Sequence, residues 1–70
     1  MKKPIVRYNS QNEQGNIFQI LFLTQVEMKK HDMADEYKKM RLRVFESNSY
    51  EEALGIIREY VELIDTAEKS

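Results

Sequence analysis

Gln14 to Met28, QGNIFQILFLTQVEM, is the stretch on which the fold turns. From Ile17 to Leu23 six of its seven residues are apolar, in a chain that is 33% charged. The run falls well short of the roughly 20 residues that cross a bilayer, and Gln19, Thr24 and Gln25 interrupt the segment. Lys2 and Lys3 lie too far upstream to make it a secretory signal, and no small-residue cleavage pattern follows it. The expectation is a soluble, cytoplasmic protein with no membrane segment.

Wound into a helix, the stretch puts Ile17, Leu21 and Met28 on one face, with Gln25 between the last two. Phe18, Phe22 and Val26 occupy the next face, and Ile20 and Leu23 lie farther round. Its first two turns are apolar on nearly every side, a pattern that calls for cover from more than one direction. Either the helix is the centre of the domain, or a second copy of the chain completes the cover.

Working outward, Asn16 suits the N-cap of this helix, whose expected span is about 17–30, closing on the basic pair Lys29 and Lys30. Before it, residues 10–16 (SQNEQGN) read as a loop, and residues 4–9 (PIVRYN) as a short strand with Ile5 and Arg7 on one face and Val6 and Tyr8 on the other. Pro4 lacks a donor, so the strand belongs at an edge or a terminus. After the first helix, Asp32 with Asp35 three residues on suggests a second N-cap, opening a helix over about 32–46. Its stripe is Met33, Tyr37, Met40 and Val44.

Ser49 and Glu52 form an S-x-x-E capping box. Beyond it Tyr50, Leu54, Ile57, Val61 and Ile64 continue a helical seam, flanked by Ala53, Ile56, Tyr60, Leu63 and Ala67, so a third helix is expected over about 50–67. Gly55 within it costs about 1 kcal/mol against Ala, for which close approach of another helix is the natural reason. The fold class is therefore α+β: a single domain, 1–70, with one short N-terminal strand followed by three α-helices. A lone strand leaves its backbone groups unpaired. Pairing with the same strand of a second chain satisfies both, so a homodimer is expected. Its core or dimer contacts are Ile5, Ile17, Phe18, Leu21, Phe22, Val26, Leu54, Ile57 and Val61.

A chain this short buries only about 60% of its unfolded surface. Without cysteine it has neither disulfides nor thiolate metal sites, leaving helix packing or self-association as the staple. His31 is the one histidine and sits in a charged connection. Phosphate loops, G-x-S-x-G and H-E-x-x-H are all absent. Glu59, Glu62 and Asp65 read as a solvated acidic face, Gly15 and Asn16 as loop and cap, and Met28, Met33 and Met40 as core. A non-catalytic protein without cofactor or metal is expected.

The net charge of −1 conceals a segregation. Residues 1–45 carry nine Lys/Arg against five acids, a balance of +4, whereas residues 46–70 carry two against seven, a balance of −5. Lys3, Arg7, Lys38, Lys39, Arg41 and Arg43 are the candidate contacts for a protein partner or for nucleic acid. A strand bearing basic residues, paired across a dimer and followed by helices, is the layout of a β-ribbon DNA reader such as the ribbon-helix-helix repressors. The long loop after the strand, the third helix and an isoelectric point near 5.8 fit that layout poorly.

Gly15-Asn16-Ile17-Phe18-Gln19-Ile20-Leu21 after a short strand, together with the late Ser47–Leu54 run SNSYEEAL, resembles a family of small uncharacterised bacterial proteins often associated with phage or plasmid genes. The resemblance implies a small accessory protein encoded by a mobile element and no known reaction. Common forms of the family carry Ala or Val at the position of Ile17. The reading is thus a non-catalytic interaction or accessory protein, with a DNA-binding regulator as the alternative.

Overall fold

The structure, a computed structural model, describes residues 3–11 and 15–68; the middle of the expected loop, 12–14, lies outside the described residues. The fold is α+β. Strand β1 (Ile5–Tyr8) leads into helices α1 (Ile17–Lys30), α2 (Ala34–Phe45) and α3 (Tyr50–Arg58). Strand β2 (Glu62–Asp65) and a 3₁₀ turn (Thr66–Glu68) close the chain.

The strand is not alone. β1 pairs in parallel with β2, Ile5 opposite Glu62 and Tyr8 opposite Asp65, and the Glu62 N–H donates to the Pro4 carbonyl at 2.8 Å. Parallel strands need a long crossover, and here α1, α2 and α3 together form it. This corrects the expected third helix over 50–67, which ends at Arg58, and with it the reason for pairing the strand across a dimer. Val61 and Ile64 continue the helical spacing, but Tyr60, Val61 and Ile64 also favour strand, and short apolar runs satisfy both periods. The open ladder of β1 decides between them, since only an extended partner meets its backbone groups. The helix tightens as it stops: the Glu59 and Tyr60 N–H groups donate three residues back, to the Ile56 and Ile57 carbonyls, at 3.0 Å.

Local signals set the other boundaries. The Asn16 side chain accepts from the Phe18 N–H at 2.8 Å and caps α1. Ser49 Oγ accepts from the Glu52 N–H at 3.0 Å, while the Glu52 carboxylate reaches back to the Asn48 N–H at 3.0 Å, one residue before the cap. Asp32 differs from expectation. It does not cap α2, whose N-cap is Met33 without a side-chain bond, but ends α1 in the left-handed region at φ 62°. Its N–H donates to Lys29 O at 3.1 Å and the Met33 N–H to Met28 O at 2.8 Å. These two bonds are a Schellman motif, a role that aspartate tolerates better than most non-glycine residues.

Helices cover one face of the sheet. Val6 and Tyr8 are buried there and Ile5 and Arg7 are exposed on the other. α1 packs on β1, α3 on β2, and α2 on both α1 and α3. Ile20, Met28, Met40, Ile57 and Val61 are fully enclosed. Of the expected core contacts, Leu21, Leu54, Ile57 and Val61 are buried and Ile17 packs against them. Ile5, Phe18, Phe22 and Val26 are exposed, because the domain supplies cover to only one side of α1. Thr24, buried on α1, donates its hydroxyl to Ile20 O at 2.7 Å and is satisfied within the helix.

The two glycines differ in kind. A Cβ at Gly15 meets the Ser10 backbone at 2.7–3.0 Å, whereas at Gly55 nothing lies within 4 Å, so close helix approach does not explain Gly55. Replacing Gly55 by alanine should stabilise the protein by about 1 kcal/mol, and Gly15→Ala should cost roughly 1–3 kcal/mol through overpacking. Urea melts of the two variants check the opposite signs.

Candidate functional site

The six expected basic contacts do not form one surface. Lys3 Nζ donates to Arg58 O at 2.8 Å, closing the carbonyl end of α3, where a cation suits the helix dipole. Arg43 forks onto Glu59, 2.7 Å to Oε1 and 3.1 Å to Oε2, and also donates to the Tyr60 hydroxyl at 3.3 Å. It ties the last turn of α2 to the segment joining α3 and β2. Donating these hydrogen bonds to Glu59 raises the Arg43 pKa, and accepting them holds the Glu59 carboxyl below its usual range. Both groups are solvent-exposed, so the two-pronged geometry contributes more order than energy. Arg7 projects from the uncovered sheet face beside Ile64. Lys38, Lys39 and Arg41 are left on α2, exposed and without an ion pair among the described residues.

A different surface is assembled where α1 meets α2. Phe18 is 65% exposed, Phe22 57% and Phe45 53%. Phe18 and Phe22 stand one turn apart on α1, with Phe45 across the seam. They wall a hollow of about 240 Å³ together with Leu21, Gln25, Tyr37 and Arg41. Phe18, Leu21 and Phe45 also wall a neighbouring hollow of about 380 Å³ that runs to Ser49, Tyr50 and Ala53 at the start of α3. The two hollows adjoin through these three shared residues and together make up the groove of α1 and α2. The Arg41 guanidinium sits 5.4 Å from the centroid of the Phe45 ring, a cation–π contact that holds one wall in place. At the other end the Tyr50 hydroxyl donates to Gly15 O at 2.6 Å, and burial raises its pKa.

At ~200 Å² per ring, the three half-exposed phenylalanines present about 350 Å² of aromatic surface, the scale of the functional patches on small monomers. Leu42, three residues before Phe45, is exposed as well and extends the apolar surface of α2. Phe18 and Phe22 were visible in the sequence as a face of α1. Phe45 and Leu42 were missed, although both fall off the Met33–Tyr37–Met40–Val44 stripe, and an apolar pair outside a helix's core stripe is the signal that finds them.

Among the described residues no group of three or more His, Asp or Glu side chains is placed to hold a metal ion. His31 is exposed on the turn between α1 and α2. Among the described residues no helix is long and apolar enough to cross a membrane. Comparison with known protein families, with characterised proteins and with solved structures finds no match.

The acidic end of the fold carries a pH dependence. Hydrogen bonding from Ser10, with that from the Ala67 N–H at 2.9 Å, holds the Asp65 carboxyl below its usual range, as Arg43 does for Glu59. Lowered folded-state values mean stability that is present above the ordinary carboxylate range, about pH 4, and lost as pH falls through the depressed values. The melting temperature should be level near neutrality and drop below about pH 4. The double variant Glu59→Gln, Asp65→Asn should show a shallower drop in the same acid titration.

Proposed function

We propose that the protein is a non-catalytic interaction module and that it engages a partner protein through the aromatic groove of α1 and α2. The observation that carries the reading is the placement of Phe18, Phe22 and Phe45, more than half exposed, around two adjoining hollows at the seam of α1 and α2. A chain this small gains from burying such rings. The domain already has a closed core, built on Ile20, Met28, Met40, Ile57 and Val61, that leaves no unsatisfied buried side-chain polar atom among the described residues, so these rings are not needed to complete it. Aromatic anchors in desolvated pockets dominate binding energies.

The DNA-binding alternative has less support. Lys3 and Arg43 are engaged within the fold, and the outer sheet face mixes Arg7 with Ile5, Glu62 and Ile64, whereas a phosphate-tracking surface wants continuous positive charge. Homodimerisation rests now on the groove itself, since β1 has its partner within the chain.

Phe22→Ser should leave the melting temperature within a few degrees of the parent, because the ring is exposed, yet weaken partner binding by about 2 kcal/mol or more. Affinity capture from host lysate with parent and variant, followed by titration of the protein recovered, makes the measurement. Equal capture by both would sink the groove as the contact surface, and salt-sensitive duplex DNA binding lost with Arg7→Ala would favour the regulator.

A further inference from the structure

The groove also specifies what it takes. We propose that its occupant is an amphipathic helix of a partner protein whose apolar stripe is flanked by acidic residues; the inference rests on the groove being the contact surface. Shape gives the first half. Both walls are helices, whose backbone groups bond within themselves. An extended peptide draws its affinity from main-chain bonds to an open sheet edge, which this groove does not offer. A helix satisfies its own backbone and needs only side-chain pockets. Phe18 and Phe22, one turn apart on α1, with Phe45 opposite on α2, match a stripe of anchors at i, i+4 and i+7, laid as a third helix along the seam.

Charge gives the second half. Arg41 lines the groove, Lys38 lies one turn before it on α2, and Lys29 lies one turn after Gln25, a groove residue, on α1. None of these three cations has a carboxylate within salt-bridge distance among the described residues, even though Asp35 is three positions from Lys38. The acids of the chain concentrate after residue 45, and Glu51 lies at the far end of the groove beside Tyr50. A second copy would bring the same three cations to the interface again, adding positive charge where an acid-flanked helix would neutralise it. Acidic flanks meet the same cations as complements.

The test is a displayed library of 18-residue helices with a fixed Leu/Phe stripe and flanks randomised among Glu, Asp, Gln, Lys and Arg, selected on the full chain. Enriched helices should carry acidic flanks and bind about tenfold more tightly than Lys-flanked versions, the size of two or three surface ion pairs together. Their preference should fade with salt, reverse in Lys38→Glu, Arg41→Glu, and binding should be lost in Phe22→Ser. Neutral or basic flanks, or a preference unmoved by the charge reversal, overturn the acidic assignment while Phe22-sensitive binding keeps the groove. If no helix is Phe22-sensitive, sedimentation of the parent and of Phe22→Ser decides the rest. A dimer that the variant dissociates gives the groove to a second copy, and a monomer in both removes the groove reading as well.

Discussion

Everything in this fold hangs on the pairing of β1 with β2. A four-residue strand cannot hold itself open in water, and the only segment that meets its donors and acceptors in the described chain is one that had to leave a helix to do so. Because the pair is parallel, the chain between them must travel the length of the sheet and return, and the three helices are the form that journey takes. Val6 and Tyr8 on one side and Val61 and Leu63 on the other then close the base of the core. Arg43, Lys3 and Thr66 all act at this junction, fastening α2, the end of α3 and the Tyr8 carbonyl respectively.

Much of this was readable from residue order, and the failures have physical causes. The caps at Asn16 and Ser49 announced α1 and α3 because a side-chain acceptor beside unpaired N–H groups is a local event. The stripe on α2 did the same, since a helix packed on two neighbours shows its period plainly. The segment from Tyr60 to Asp65 was not readable, because Val61 and Ile64 are spaced for a helix and typed for a strand, and the tie is broken by a strand far away in sequence. Asp32 was ambiguous in another way: the same short carboxylate serves as an N-cap or as a left-handed exit from the preceding helix, and the Met33 N–H reaching Met28 selects the second.

For the groove, the sequence announced an excess of apolar surface on α1 without saying whether it faces inward. The structure divides it. Ile20, Leu21 and Met28 belong to the core, while Phe18 and Phe22 belong to solvent or to whatever covers them. The division follows from the size of the domain, which has one helical layer over one small sheet and so a single inside. The basic residues do not gather on one surface, because charge counts along a chain do not record which side chains are already engaged: Arg43 is taken up by Glu59 and Lys3 by the end of α3, while Lys38 and Arg41 on α2 stay exposed and without an ion pair among the described residues.

The parallel pair also has a bearing on how the molecule comes into being. Tyr8 and Thr66, which meet at the carboxyl ends of the strands, are 58 positions apart, whereas each helix and its caps can form from near neighbours. High sequence separation delays closure, so on a ribosome α1 and α2 can be made and can touch while Val6 and Tyr8 still face water. The contact that closes the sheet thus spans nearly the whole chain, whereas the seam that carries the aromatic face joins two helices adjacent in sequence.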